Sequence, residues 1–142
     1  MRLNPHLTFE GSCEEAFRFY RDVLGGELLA LVRYEGTPLA ERVPPAWRAK
    51  ILHATLDLGD TRLTGADVTA EEGYVAPTGF SVLVDPGTVA EAERIFSALS
   101  EGGDVILPLT QTFWAERFGM VVDRFRIPWM LSCARPGPTV GA

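Results

Sequence analysis

The chain has 142 residues, 46% hydrophobic and 23% charged, which suits one compact domain with a real core and asks for no second one. Its formal net charge of -6, with no basic run, excludes a nucleic-acid partner, whose phosphates need clustered Lys and Arg. No stretch reaches the roughly 18 uninterrupted apolar residues of a membrane span, and the sequence enters a strand pattern without an apolar signal core, so a cytoplasmic protein with no membrane partner is expected.

Leu3 to Phe9 alternates as a strand, with Leu7 and Phe9 on one face and His6 and Thr8 on the other. Ser12 and Glu15 form an S-x-x-E capping box, and Ala16, Phe17, Tyr20, Val23 and Leu24 share one face of the helix that follows. Gly25 and Gly26 end it. Glu27 to Tyr34 reads as the second strand. Pro38, Pro44 and Pro45 then break regular structure, so 35–46 is a long loop, of the kind that serves as a lid, a binding segment or a passive connector. Ile51 to Leu58 is the third strand, with His53, Thr55 and Asp57 facing one way and Leu52, Ala54, Leu56 and Leu58 the other. Gly59 and Asp60 turn it into a fourth, Thr61 to Gly65.

A polar loop, Asp67 to Thr78, precedes the strand Gly79 to Val84. Thr88 and Glu91 make a second capping box, for a helix bearing Val89, Ala92, Ile95, Phe96 and Leu99, and Gly102 with Gly103 stops it. Short strands follow around Val105 to Leu107, Glu116 to Asp123 and Ile127 to Cys133, and the tail from Pro136 is expected to fray. The two halves repeat one plan. Laying Ser12 on Thr88 puts Glu15 on Glu91, Ala16 on Ala92, Arg18 on Arg94 and Tyr20 on Phe96. Upstream the register slips by one, so that Leu7 falls on Val82 and Phe9 on Val84. A long period used twice predicts two paired βαβββ modules in one domain, 1–142: module one about 1–67, linker 68–78, module two about 79–133, tail 134–142.

Several residues carry candidate chemistry. ATLDLGDTRLTG approaches the nucleotide loop of methyltransferases, but Thr61 and Leu63 stand where that loop needs glycine, and a hairpin follows instead of a helix. His6 and His53 are the only histidines, and both alternate onto the face opposite the helix-covering apolar residues, either as two ligands of one metal or as polar lining of a pocket. Cys13 lies in a first helical turn, where Glu14 and Glu15 oppose thiolate formation, so packing is its expected role. Cys133 is too far from it in sequence to suggest a disulfide framework, and the pair fits a reducing compartment. FWAERFGMVVDRFRIPWM, Phe113 to Met130, holds more aromatic surface than alternation needs, so Trp114 and Trp129 are expected to line a ligand cavity and Phe118 and Phe125 to fill a core or dimer interface.

Three stretches together carry a family resemblance: HLTFEGSCEEAFRFYRDVLGG, ILHATLDLGDTRLTGAD and FSALSEGGDVILPLTQTFWAERFGMVVDRFRIPWM. Nearly the whole chain resembles the PhnB-like branch of the vicinal oxygen chelate superfamily, with glyoxalase I, extradiol dioxygenases and fosfomycin- and bleomycin-resistance proteins. The resemblance implies an α+β fold of two paired βαβββ modules whose curved mixed sheets enclose a cavity, often as a homodimer. Metal-dependent members draw one ligand from each of four strands. Here His6 matches the first-strand ligand and Thr64 or Asp67 lies nearest the first carboxylate, whereas Gly79, Ser81 and Met130 in the second half are poor divalent-metal ligands. Arg126 stands where DRFG-x-x-W has its glycine.

The expectation is a small-molecule binding protein, homodimeric, with His6, His53, Asp67, Trp114 and Trp129 around one cavity, no complete metal site and no cofactor. The alternative is a lyase, isomerase or dioxygenase-like enzyme acting on a small oxygenated substrate, with His6, His53 and Asp67 as acid, base or metal-binding groups.

Overall fold

The computed structural model describes residues 1–135; the tail from Pro136 expected to fray lies outside the described residues. The chain divides into two compact units, Met1–Ala76 and the chain from Pro77 on. Among the described residues no helix is long and apolar enough to cross a membrane.

The first unit runs β1 (His6–Phe9), α1 (Cys13–Leu24), β2 (Glu27–Arg33), two short 3-10 turns (Ala40–Arg42 and Pro45–Trp47), β3 (Ile51–Asp57) and β4 (Arg62–Asp67). Its sheet has the order β1-β4-β3-β2, with β1 parallel to β4 and the other pairs antiparallel. The second unit repeats this as β5 (Val82–Val84), α2 (Val89–Ser100), β6 (Asp104–Thr110), β7 (Ala115–Val122) and β8 (Pro128–Ala134), in the order β5-β8-β7-β6 with β5 parallel to β8. The fold is therefore α+β, two four-stranded mixed sheets each with one helix, as the βαβββ repeat predicts. β6 is longer than the expected Val105 to Leu107. It tolerates Pro108 because it is an edge strand, where a missing N–H breaks no ladder.

In each unit one sheet face is closed by the helix. α1 buries Cys13, Ala16, Phe17, Tyr20 and Val23 against Leu7, Phe9, Ala54, Leu56 and Leu63, with Phe17 edge-on to Phe9 at 6.1 Å and to Tyr20 at 6.0 Å. Burying a side chain such as Phe17 contributes about 2–3 kcal/mol. α2 packs in the same manner on β7 and β8 through Ala92, Ile95, Phe96 and Leu99. After each helix the chain passes tightly over a strand end. A Cβ on Gly26 would collide with the Asp57 carbonyl oxygen, and one on Gly103 with that of Val122. Gly26 and Gly103 are thus needed for close approach, while Gly25 caps α1.

The two helix starts differ from expectation. Ser12 occupies the N-cap of α1 but makes no side-chain cap hydrogen bond. Asp67 takes over, its Oδ1 accepting from the backbone N–H of Gly11 (2.9 Å) and Cys13 (3.0 Å). At α2 the Thr88 hydroxyl accepts from Glu91 N at 3.2 Å, while the Glu91 carboxylate pairs with Arg94 at 2.8 Å and does not reach back to close the box. Segment 35–50 is pinned at both ends, by Tyr34 N–H to Lys50 O (3.0 Å) and Glu35 N–H to Arg48 O (2.8 Å). Lys50 Nζ further donates to Gly11 O at 3.0 Å.

Candidate functional site

Strand parity builds the site. Leu7 and Phe9 must face α1, so His6 and Thr8 project from the opposite, open side of the first sheet. Register then sets His6 beside Thr64, Thr64 beside Thr55, and Thr55 beside Ala30, a row crossing all four strands. His53, two residues from Thr55 on the same face, pairs in register with Val32. Strand spacing and rise put the His6 and His53 Cα atoms roughly 12 Å apart.

Both rings are tied to threonines. His6 Nδ1 lies 2.8 Å from Thr64 Oγ1, and His53 Nε2 lies 2.9 Å from Thr55 Oγ1. Both imidazoles are exposed, while Thr55 beneath is buried. The pKa of His6 is lowered, first by desolvation and then by the charge His53 would carry, so the two rings sense each other electrostatically. Imidazoles and hydroxyls arranged in this way make directed hydrogen bonds to an oxygen- or nitrogen-bearing molecule.

Asp67, expected beside the histidines, lies on the other side. It pairs in register with Phe9 and so shares the α1-facing side of the sheet, fully buried. Besides the two N–H groups held by Oδ1, its Oδ2 accepts from Ile51 N–H at 2.9 Å, and its backbone carbonyl accepts from the Tyr34 hydroxyl at 2.8 Å. That carboxylate joins α1, β3 and β4. Cys13 beside it is likewise structural, since burial, Asp67 and Glu14 push its thiol far above the ordinary range.

In the second unit the two tryptophans part company. Trp129 is 1% exposed and alternates with Ile127, Leu131 and Cys133 on the α2-facing side, where its Nε1–H donates to Asp123 Oδ2 at 2.8 Å. Asp123 also accepts from the N–H groups of Phe125 and Ile127, which organises the β7–β8 turn. Arg126 keeps that turn despite replacing the expected glycine, at the cost of a left-handed φ of 76°. Trp114 is exposed, its ring 4.8 Å from Phe113 and 5.4 Å from Phe118. The open face of this sheet carries an apolar row, Leu83–Met130–Met120–Leu107, again across all four strands. Phe118 and Phe125, expected in a core or interface, are half-buried and buried respectively.

The signal for Thr55 was present in His53-x-Thr55, where period 2 sets both residues on one face, whereas Thr64 meets His6 only through the pairing of β1 with β4, which no local pattern reveals. Asp123 had a weaker one, an acidic residue in a turn six positions before a tryptophan needing an acceptor.

A divalent metal of the kind used by metal-dependent relatives does not fit these residues. The carboxylate that the resemblance suggests, Asp67, has both oxygens engaged on the far side of the sheet. Among the described residues no three His, Cys, Asp or Glu side chains cluster in ligating positions, and Met130 is a soft, weak ligand. The methyltransferase loop is absent in structure as well. Leu58 N–H bonds Thr61 O at 3.0 Å across a β3–β4 hairpin, so no helix starts after Gly59.

Comparison with known proteins places this geometry. Residues 2–131 match the Glyoxalase/Bleomycin resistance protein/Dioxygenase superfamily. The Escherichia coli K12 protein YjdN is 32% identical over an alignment of 151 positions, covering 98% of this chain and 99% of that one. Among solved structures, Pseudomonas aeruginosa PA1353 superposes with a TM-score of 0.87 at 40% identity, covering 96% of this chain and 99% of that one. A Bacillus cereus PhnB protein, named for a 3-demethylubiquinone-9 3-methyltransferase, gives 0.79 at 24% identity, covering 94% and 100%, and so bears on the fold alone. The chain belongs to the glyoxalase/bleomycin resistance protein/dioxygenase superfamily, as a relative of YjdN.

Proposed function

We propose that this protein binds a small organic molecule on the open face of its first sheet, through the imidazoles of His6 and His53 and without a complete metal site. The supporting observation is the pair of ring–hydroxyl contacts, His6 to Thr64 at 2.8 Å and His53 to Thr55 at 2.9 Å, on the sheet side that α1 leaves uncovered. A row of hydrogen-bonding side chains flanked by apolar Ala30 and Val32 combines directed polar groups with apolar contact, as a ligand surface does.

Native mass spectrometry of protein purified without chelator tests this. The expected result is a retained organic mass in the wild type that is lost in the His6→Ala, His53→Ala double variant. A stoichiometric metal lost in that variant would overturn the reading. We further propose that the protein acts as a homodimer, because Leu83, Ile106, Phe113 and Trp114 of the second unit are all more than half exposed and call for cover. The same spectrum reports it, and a monomer mass at micromolar concentration would sink it.

A further inference from the structure

We infer that Thr64 and Thr55 fix the tautomers of His6 and His53, so that the open face presents an acceptor nitrogen, His6 Nε2, and a donor, His53 Nδ1–H; this deepens the binding reading above and rests on it. The Thr64 hydroxyl has one proton, and its Oγ1 donates to the Pro5 carbonyl at 3.3 Å. Toward His6 Nδ1, 2.8 Å away, it therefore accepts. The ring hydrogen sits on Nδ1 and Nε2 keeps its lone pair.

Thr55 is a different case. It is 7% exposed, and among the described residues its Oγ1 has no hydrogen-bond partner except His53 Nε2 at 2.9 Å. A buried hydroxyl whose proton finds no acceptor is costly, so Thr55 donates to Nε2 and His53 carries its hydrogen on Nδ1. The rings are thus held to the sheet by opposite nitrogens yet share one tautomer, and their outward atoms are complementary. Among the described residues neither His6 Nε2 nor His53 Nδ1 has a partner.

Two rings set this way select a ligand class. The ligand brings a hydrogen-bond donor to His6 and an acceptor to His53, as does a neutral hydroxyl- or amide-bearing compound with a carbonyl group. A carboxylate has only acceptors, and its lone pairs meet the lone pair of His6. Desolvation and the neighbouring His53 both lower the pKa of His6, which favours the neutral ring.

The test is long-range proton–nitrogen correlation NMR on tag-free, nitrogen-15-labelled protein at about pH 8, above the imidazole titration range. The chain has 2 histidines, so a His53→Gln variant assigns both. The expected wild-type result is a protonated Nδ1 and a bare Nε2 in each ring; a protonated Nε2 in either overturns the assignment. Thr64→Val should shift His6 alone toward the Nε2–H form, and Thr64→Ser should restore the wild-type pattern. A His6 tautomer untouched by Thr64→Val overturns it too. Phenol, a neutral donor, should move the His6 Nε2 signal, whereas benzoate should not. Equal responses to both would refute the selectivity. Tautomers as assigned with no response to phenol would instead refute the binding reading, so the two failures are distinguishable.

Discussion

Replacing Asp67 with alanine should destabilise the fold far more than it disturbs the open face. The carboxylate satisfies three N–H groups, those of Gly11, Cys13 and Ile51, at 2.9, 3.0 and 2.9 Å, in a fully buried position. Each donor left without a partner costs about 1–3 kcal/mol. Water entering the space left by the carboxylate would meet part of that, so the expected loss is about 3–6 kcal/mol, much of the 5–15 kcal/mol available to a domain. Asp67→Asn keeps one oxygen for Gly11 and Cys13 but turns an amide N–H₂ toward Ile51 N–H, for a loss of about 2–3 kcal/mol. Urea titration followed by circular dichroism gives both values. A loss below about 1 kcal/mol for Asp67→Ala, against the cost of orphaned donors, would refute the assignment of this carboxylate as the joint between α1, β3 and β4.

Arg126→Gly should stabilise the protein by about 0.5–1 kcal/mol, read as a small rise in Tm, because it relieves a left-handed φ of 76° at an exposed turn. A fall in Tm would mean that the arginine side chain holds the turn. Arg33 and Arg18 depress the pKa of Glu14 from 4.5 to about 2. A depressed carboxyl stabilises the fold above its unfolded value and loses that contribution as pH falls toward 2, so Glu14→Gln should flatten the urea midpoint across that window. An unchanged slope would remove the ion pair from the stability account. Cys13 should resist iodoacetamide in the native state at neutral pH and react only on unfolding, because burial and its acidic neighbours keep it a thiol. Rapid native labelling at Cys13 would contradict its burial.

The repeated βαβββ plan was legible because glycine stops and apolar alternation are local signals, and the structure places both helices and all eight strands where those signals fall. The side on which the histidines lie was legible for the same reason, since Leu7 and Phe9 leave His6 no other direction. Asp67 was not. A carboxylate at a strand end reads as polar and therefore outward, and nothing local reveals that three N–H donors from two other segments converge there. Trp129 was half legible: Ile127, Leu131 and Cys133 share its parity and mark a core face, but its size suggested a ring contact for a ligand. Ser12 shows the limit of motif reading. The capping box was correct in spelling, yet a stronger acceptor from β4 arrived first.

That substitution of one cap for another has a consequence for recombining the halves. Val84 is the second unit's counterpart of Phe9, and its register partner in β8 is Leu131, where the first unit has Asp67. The second unit thus has an aliphatic side chain at that register position, and the start of α2 carries its own acceptor, Thr88. Grafting β8 in place of β4 would therefore strand the amides of Gly11, Cys13 and Ile51, and the reverse graft would bury a carboxylate near a helix that already has its cap. The two units share an element order but not their hydrogen-bond partners; only an exchange that moves each helix start together with its own partner strand preserves the hydrogen bonds.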